Sequence, residues 1–412
     1  MIGTDEGEGI SVSHQSTQPA APRGVLAVFT ATSFIVFAQA FMIAPLLPRL
    51  ADVFDTTPGV VGLAVPAYLV PYGIMTLVWG PLSDRVGRRP VILASLLAFS
   101  LLSAVTAVSD SAEVFISLRL ATALGASGAV PIALAMIGDI FPYHHRGRAL
   151  GWLFGGMAGG TAVGAAGGAL IEPLIGWTGL FVIVGVCGFV LLAVAMKLLP
   201  AISAPSSAPP LSQIATDYAA LLRNKRAQRT YGYVFFNAIL HSGVYTWLGV
   251  YLHQRYGLSE LGIGLTLLGY GIPGFLLGPV IGRLADRHGR ARLVPCGVAV
   301  GALCAMLLAA PLPLILVQVA IVTLSLGYDM TQPALGGIVT DLPANRGQAM
   351  GLNVFTLFTG MGVGALVFQI VLLQTSFAVT FAVFGIAAVL AAGIAVPLFA
   401  DERPSPHVDI PA

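Results

Sequence analysis

Three ionisable side chains, Arg119, His241 and Asp329, lie inside long apolar segments. Asp329 follows Pro313 by 16 residues and precedes Asp341 by 12, which on a helix corresponds to about 24 and 18 Å. An ionisable group at that depth in a membrane costs at least about 2.5–3.5 kcal/mol unless it meets water or a partner. A carboxyl group that reaches water there can take up and release a proton. The position therefore fits a proton carrier, or an aspartate held by hydrogen bonds from neighbouring helices.

Polar residues around Asp329 share one face of the same predicted helix. Gln318, Ser325, Asp329 and Gln332 are separated by seven, four and three residues, which is the spacing of a single helical stripe. The stripe predicts that this helix turns a water-accessible face toward a cavity.

A second stripe surrounds the histidine. Asn237, His241 and Tyr245 recur every four residues and so lie on one face of an apolar helix. His241 fits either a satisfied core position or a group that titrates near neutral pH. Asn353 adds a weaker polar position on a later helix.

Aromatic residues form a third stripe. Tyr68, Tyr72, Met75 and Trp79 share a helical face that suits either packing or a pocket for a flat, hydrophobic ligand. With Gln39 added from the first helix, we predict a substrate cavity. Its predicted lining is Gln39, Tyr68, Tyr72, Asn237, Tyr245, Gln318, Gln332 and Asn353.

Membrane-spanning helices must position these residues. Hydrophobic residues make up 57% of the 412-residue chain and charged residues only 9%, whereas a soluble domain carries about 25% charged residues. Runs of about 20 apolar residues can each cross a bilayer. The sequence therefore predicts an all-α membrane protein with twelve spans. They lie at 25–47, 60–82, 90–108, 113–138, 148–171, 177–199, 229–252, 261–283, 292–310, 313–338, 348–372 and 376–399.

The predicted spans form two six-helix bundles, at 25–199 and 229–400. A Pro/Ser-rich cytoplasmic linker at 200–228 joins them, and polar tails occupy 1–24, predicted to be disordered, and 401–412.

Basic residues predict the orientation. Lys and Arg are concentrated on the side of the linker, and only Arg49 and Arg255 fall on the opposite side. By the positive-inside rule, both termini are cytoplasmic in a multi-pass protein of the cell membrane, plasma or inner.

The two halves are repeats of each other. At an offset of 202 the identical pairs are Tyr68/Tyr270, Pro71/Pro273, Gly80/Gly282, Leu82/Leu284, Asp84/Asp286, Arg85/Arg287, Gly87/Gly289, Arg88/Arg290, Pro131/Pro333 and Asp139/Asp341. Beyond them the offset is 200, as in Arg146/Arg346 and Gly151/Gly351. A constant offset over several helices predicts two pseudo-symmetric bundles with a cleft or pore between them.

The repeated loop resembles a signature of the major facilitator superfamily. "GPLSDRVGRRPV" at 80–91 and "GRLADRHGRARLV" at 282–294 are similar to G-x-L-x-D-R-x-G-R-[RK], with Ala291 in place of the last Arg of the second copy. The resemblance implies alternating access driven by an ion gradient, without ATP.

In that family the loop aspartate latches the two bundles at the cytoplasmic face. Arginines flanking a tight turn also fix topology by themselves. The resemblance assigns a cytoplasmic gate to Asp84, Arg85, Arg88, Arg89, Arg146, Asp286, Arg287, Arg290 and Arg346.

Two further stretches resemble the twelve-helix drug:proton antiporter branch. "RLATALGASGAVP" retains Arg119 and Gly125 of the pattern R-x-x-Q-G-x-G. "GWLFGGMAGGTAVGAAGGA" is similar to G-x8-G-x3-G-P-x2-G-G, with Ala165 in place of Pro. The resemblance assigns Arg119 to coupling or substrate contact, beside Asp329 and His241, while a structural hydrogen bond to the first helix at Gln39 is the alternative.

Glycines crowd the fifth and eleventh predicted helices, and small residues allow close backbone approach. We expect these two helices to pack at the interface between the bundles.

These patterns together predict a secondary transporter, most simply for proton-coupled export of amphipathic small molecules or drugs. The alternative is a facilitator or proton symporter for a polar solute such as a sugar or organic anion. The motifs GxxxxGK[ST] and HExxH are absent, so we expect no enzyme activity, no metal and no cofactor, the proton gradient being the energy source. The expected partners are the substrate and the lipid bilayer, with no nucleic acid, for a protein that functions as a monomer.

Overall fold

The computed structural model describes residues 24–141, 143–201, 210–270, 273, 277, 280–281, 284, 288–343 and 346–402, with main chain alone at 143–147, 211 and 346. Both predicted tails lie almost wholly outside the described residues. Every regular element within the described residues is an α-helix. In chain order these are α1 (Val25–Phe41), α2 (Ile43–Val53), α3 (Pro58–Gly62), α4 (Ala64–Val86), α5 (Arg88–Thr106), α6 (Ala112–Ala126), α7 (Ala129–Ile140), α8 (Tyr143–Leu198), α9 (Leu211–Arg223), α10 (Lys225–Tyr256), α11 (Glu260–Leu267), α12 (Arg290–Ala309), α13 (Leu314–Thr340), α14 (Arg346–Gln374) and α15 (Phe377–Leu398).

Local signals explain where several helices begin. Thr57, Ser111, Asn224, Ser259 and Ser376 each precede a helix, and each side chain accepts a hydrogen bond from an amide of the first turn. Such caps satisfy amide groups that have no partner inside the helix.

Two glycines at repeat-equivalent positions make the same turn. Gly87 (φ 104, ψ 151) and Gly289 (φ 79, ψ 156) precede α5 and α12 in a conformation that side chains with a Cβ rarely adopt. The loop motif found in the sequence is therefore a repeated structural corner.

The all-α membrane architecture is confirmed. Eight helices of the described part are long and apolar enough to cross a membrane, or nine if the bent pair α1–α2 counts as one span. One of them, Arg148–Leu198, contains both the fifth and sixth predicted spans, because α8 runs through a non-helical residue, Gly176 (φ 71, ψ 163). The seventh predicted span lies on α10, whose many polar residues lower its hydropathy. The eighth falls partly outside the described residues, so the count of twelve stays a prediction.

The glycine stripe of α8 packs on α1 of the same bundle. Gly156, Gly160, Gly164 and Gly168 follow one another at intervals of four, and a Cβ on any of them would come within 3.0 Å of an α1 atom or of Met42, which follows it. These four glycines therefore serve backbone contact within one bundle, whereas the predicted place of the helix itself between the bundles is confirmed on another of its faces. Elsewhere α8 does reach the other bundle, where Leu170 lies beneath Gly264.

The equivalent helix of the second half, α14, uses two faces. Gly360 and Gly364 face main-chain atoms of Phe235 and Ile239 on α10, within their own bundle. Gly362 lies on another face, where a Cβ would come within 2.5 Å of the Val70 side chain on α4 in the first bundle. The predicted position of α14 between the bundles is thus confirmed, although only one of its three glycines faces the first bundle.

Contacts between the bundles lie mainly in the half of the molecule opposite the linker. The Gln369 amide donates to the Gly59 carbonyl at 2.8 Å, and Gly62 leaves space for the ring of Trp247. On the linker side, α9 packs beneath the second bundle, with Asp217 accepting from Gln348 at 3.1 Å.

A carboxylate after α15 ties several helix ends together on the linker side. Glu402 accepts two hydrogen bonds from Arg226, each 2.7 Å, and one of 2.5 Å from Arg229. Arg229 also donates to the Leu398 carbonyl at 2.7 Å, and the Ala291 amide to the Glu402 carbonyl at 3.3 Å. The hydrogen bonds from Arg226 lower the pKa of Glu402. The cluster joins the starts of α10 and α12 to the end of α15.

Replacing Gly164 by Ala should destabilise the first bundle. The added Cβ would meet the carbonyl oxygen of Ala38 and lie 3.0 Å from its Cα, and overpacking of this kind costs about 1–3 kcal/mol. Thermal unfolding of the purified protein in detergent measures the loss. Gly155→Ala is the matched control, since a Cβ at Gly155 meets nothing within 4 Å. Equal unfolding temperatures for the two variants would contradict the packing.

Glu402→Gln should lower stability at neutral pH by about 1.5–3 kcal/mol, the range for hydrogen bonds to charged groups. Because the folded-state pKa lies below the ordinary value of 4.5, the carboxylate contributes its stability above that pH. The contribution is lost as pH falls through the folded-state value. Unfolding temperatures of the two proteins should therefore converge below about pH 4.5.

Asp401→Asn serves as the control for Glu402→Gln, because Asp401 is 94% exposed. If the difference in unfolding temperature between Glu402→Gln and the unaltered protein stayed constant from neutral to acid pH, the ionised Glu402 carboxylate would not be what stabilises this cluster.

Candidate functional site

Two tyrosines enclose His241 between helices of the second bundle. The imidazole Nε2 is hydrogen-bonded to the hydroxyl of Tyr270, just after α11. The ring of Tyr328, on α13, stacks on the imidazole with centroids 3.8 Å apart and an interplanar angle of 18°. His241 is 7% exposed. The side chain therefore faces the protein interior.

Asp329 belongs to the same neighbourhood. Ser325, one turn earlier on α13, donates to Oδ2 at 3.1 Å. The carboxylate is half-buried and close enough to the hydroxyls of Tyr270 and Tyr328 to act on both through its charge. The structure thus places Asp329 directly after Tyr328, whose ring stacks on His241, so two predicted proton-coupling residues share one neighbourhood.

A small cavity borders this neighbourhood. Asn237, His241 and Tyr328 supply its polar edge, and residues of α12 and α15 close it. Its volume of about 30 Å³ is enough for one water molecule beside several polar groups. Asn237 itself donates to the Thr331 hydroxyl at 3.0 Å.

Tyr245 connects the cluster to the first bundle. Its ring packs on Tyr270 with centroids 4.6 Å apart, and its hydroxyl donates across the bundle boundary to the Phe41 carbonyl at 3.3 Å. A rearrangement around Tyr270 would therefore be felt at a contact between the bundles.

Arg119 lies in a separate cluster in the first bundle. Its Nη1 donates to the main-chain carbonyl of Gln39 at 3.4 Å, and its Cζ lies 4.1 Å from the ring centroid of Tyr68. The hydrogen bond to the first helix that the sequence allowed is thus present, on the main chain. Arg119, Gln39 and Tyr68 are each 0% exposed, and Tyr72 is 1% exposed.

Several polar atoms of this first-bundle cluster have no hydrogen-bond partner among the described residues. They are Nε and Nη2 of Arg119, both polar side-chain atoms of Gln39, and the hydroxyls of Tyr68 and Tyr72.

The remaining predicted cavity residues do not gather at one point. Gln318 donates to the Thr266 hydroxyl on α11 at 3.3 Å, so the α13 stripe faces α11 at this level. Gln332 is half-buried, and Asn353 is buried on α14.

The loop charges form matching ion pairs inside each bundle. Arg88 contacts Asp84 at 2.6 Å and Asp139 at 3.1 Å, and the repeat-equivalent pair Arg290–Asp341 joins α12 to the end of α13. Arg89 donates to the Met196 carbonyl at 2.6 Å. In this conformation these contacts connect helices of one bundle. The predicted gate residues Asp286 and Arg287, and the side chains of Arg146 and Arg346, lie outside the described residues.

Two central residues were missed by reasoning from the sequence alone. Tyr270 was noted only as the repeat partner of Tyr68, although its place in the repeat marked it as an equivalent of a predicted cavity residue. Tyr328 adjoins Asp329, but nothing in the sequence indicated that its ring would reach His241 on another helix.

The described part of the chain contains no group of three or more His, Cys, Asp or Glu residues able to hold a metal ion. Cys187, Cys296 and Cys304 are free thiols.

Comparison with known proteins points to one family. The model of the Major Facilitator Superfamily matches residues 29–342 and 231–412. A chloramphenicol resistance protein of Pseudomonas aeruginosa is 35% identical over 145 residues, 35% of each chain, so the match spans about a third of that protein. The "Uncharacterized MFS-type transporter YwfA" of Bacillus subtilis is 27% identical over 77% of this chain and 78% of its own. The "MFS antiporter QDR2" of Candida albicans is 31% identical over 38% of this chain and 31% of its own.

Solved structures share the fold at low sequence identity. The human organic anion transporter MFSD10 (TETRAN) superimposes with a TM-score of 0.72 at 19% identity, covering 90% of this chain and 98% of its own. A bacterial homologue of the human lysosomal transporter Spinster, in an inward-facing and unoccupied conformation, gives 0.74 at 16% identity, covering 93% and 98%.

Proposed function

The chain belongs to the major facilitator superfamily, and from that premise we propose that it couples the export of amphipathic small molecules to the entry of protons. Relatives named for chloramphenicol resistance and for antiport support the export of drug-like compounds. The alternating-access mechanism needs a proton-binding group, a substrate site between the bundles and a contact that changes when either is occupied.

The carrying observation is the position of Asp329 next to Tyr328, whose ring stacks on His241, while the His241 imidazole is hydrogen-bonded to Tyr270. Hydroxyl and imidazole groups can pass a proton along hydrogen bonds, and an acid inside a membrane protein marks an ion or proton path by default. We assign Asp329 as the proton acceptor and His241 with Tyr270 as its relay.

Tyr245 supplies the mechanical link in this proposal. It packs on Tyr270 and donates to the Phe41 carbonyl of the first bundle. Neutralising Asp329 removes a charge that acts on Tyr270, and a shift of that tyrosine changes the packing of Tyr245. Proton binding thereby biases one contact that holds the bundles together, which is how a ligand shifts a two-state equilibrium.

The substrate site lies between the bundles in this proposal. Tyr72 of α4 stacks on Phe358 of α14 at 4.6 Å, and Phe37 of α1 meets the same ring edge-on at 5.8 Å. When the bundles separate, these aromatic rings become exposed, and an amphipathic molecule can bind against them.

A second candidate is a facilitator or proton symporter for a polar solute such as an organic anion. The observation that favours it is the buried guanidinium of Arg119, which has no ion-pair partner among the described residues. MFSD10, which shares the fold of this chain, is an organic anion transporter, and that likeness is consistent with this candidate.

Asp329→Asn should abolish proton coupling. In everted membrane vesicles with an imposed proton gradient, chloramphenicol added to the unaltered protein should discharge the gradient, whereas the variant should respond at least about tenfold more weakly, because its amide cannot take up a proton. A pH-sensitive dye reports the gradient. Asp110 is an exposed acid in a loop on the side of the molecule opposite the linker. The control variant Asp110→Asn should therefore respond like the unaltered protein.

Antiport and symport predict opposite responses in that assay, because a symporter would carry protons in the direction of the solute. A full chloramphenicol response in Asp329→Asn would refute the assignment of Asp329. No response in the unaltered protein to chloramphenicol or to a panel of drug-like compounds would refute export of this class.

Asp84→Asn should lower transport in the same vesicles at least about tenfold while leaving the fold intact. The side chain is 35% exposed and paired with Arg88, and pairs of this kind contribute about 0–1 kcal/mol. Its gating role predicts a defect in turnover with little change in unfolding temperature. Normal turnover in this variant would exclude Asp84 from the gate.

A further inference from the structure

A cavity on the linker side of the second bundle lies outside both polar clusters described above. Its volume is about 480 Å³, and its lining residues are Lys225, Arg226, Arg229, Leu398, Asp401 and Glu402. The first turns of α10 supply the three cations, while α15 ends at Leu398 and the two acids follow it. The cavity is therefore formed where one helix of the second bundle begins and another ends.

The charges around the cavity do not balance. Its three cations face two carboxylates, which leaves one net positive charge. Glu402 accepts hydrogen bonds from both arginines, yet the side chain of Arg226 remains 37% exposed. Lys225 is exposed, and its ammonium group has no hydrogen bond or ion pair among the described residues. The cavity thus offers positive charge that a negatively charged ligand can reach.

Apolar surface continues from the cavity along α15. Leu398 lines the cavity, and Ile394 and Leu390 precede it at intervals of four, so the three side chains share one helical face. Ile394 is 59% exposed and Leu390 is 61% exposed. Because α15 is long and apolar enough to cross a membrane, this exposed face suits hydrocarbon chains. A ligand that fills the cavity can therefore be charged at one end and apolar at the other.

An anionic phospholipid has both of these parts. Its phosphate carries the negative charge that the cavity lacks, and basic pockets between helices on the cytoplasmic side of membrane proteins bind such headgroups. The linker side is the side that the positive-inside rule predicts to be cytoplasmic. A free anion such as inorganic phosphate would use the charges but leave the apolar face of α15 uncovered.

We propose that this cavity binds the phosphate of an anionic phospholipid through Lys225 and Arg226, with an acyl chain along the exposed face of α15 that begins at Leu398. The bound lipid joins the start of α10 to the end of α15, which Glu402 already ties together. The inference goes beyond the proposed transport function and uses none of the residues assigned to it.

The test counts the lipids bound to the purified full chain by native mass spectrometry. The protein is incubated in detergent with equal amounts of phosphatidylglycerol and phosphatidylcholine that carry the same acyl chains, so that only the headgroup differs. We expect phosphatidylglycerol to be preferred at least about fivefold, about 1 kcal/mol. Equal binding of the two lipids to the unaltered protein would overturn the proposal without any variant.

Two substitutions of opposite sign then locate the site. Lys225→Gln removes the unpaired cation and should lower the preference at least about threefold, whereas Asp401→Asn removes an exposed acid from the same cavity and should raise it by a similar factor. Arg223→Gln is the matched control, because Arg223 is an exposed cation two residues away that does not line the cavity. Equal losses in Lys225→Gln and Arg223→Gln would indicate diffuse attraction to the surface and overturn the site.

Two further measurements exclude other readings of the result. Inorganic phosphate in large excess should leave phosphatidylglycerol bound, since it has no apolar part, and displacement by phosphate would replace the lipid site with a site for free anions. Thermal unfolding without lipid should be the same for Lys225→Gln and the unaltered protein, because Lys225 has no partner to lose. If Lys225→Gln fails to fold, Asp401→Asn decides, and an unchanged preference in that variant would overturn the site.

Discussion

The low dielectric of the membrane interior requires each polar group of this chain to find its partner within the protein. Helices meet that requirement for the main chain, which is why every regular element of the described part is a helix. Two clusters of polar side chains lie at helix contacts. One surrounds His241 and Asp329, and its hydrogen bonds are largely satisfied. The other surrounds Arg119 and retains unpartnered donors.

The internal repeat supplies a common frame that the two halves use differently. Arg88–Asp139 and Arg290–Asp341 occupy equivalent positions, and Gly87 and Gly289 make the same turn. These pairs belong to the frame and explain why the charged loop occurs twice. Tyr68 and Tyr270 are also equivalent, yet one lies beneath a guanidinium and the other is bonded to an imidazole. The two equivalent tyrosines therefore have different partners although the surrounding frame is the same.

The sequence predicted the fold more completely than it predicted which residues surround each site residue. Composition and the repeat indicated an all-α membrane protein of two halves, because hydrophobic length and a constant offset are properties of the chain itself. The contacts of Tyr328 could not be foreseen, because ring stacking on His241 depends on how α10 and α13 cross. The neighbour of the glycine stripe of α8 could not be foreseen for a similar reason. Small residues indicate close approach, but not to which helix, and α1 is the neighbour.

Close packing inside each bundle has a mechanical consequence. At Gly164 on α8 and Gly364 on α14, the neighbouring helices approach so closely that a single added methyl group would collide with main-chain atoms. Cores packed in this way resist deformation, so we expect each bundle to move as one unit about the boundary between them. Tyr245 and Gln369 each donate one hydrogen bond to a main-chain carbonyl across it. Single bonds of this kind contribute about 0.5–1.5 kcal/mol, which is small enough for one proton or one bound anion to change their balance.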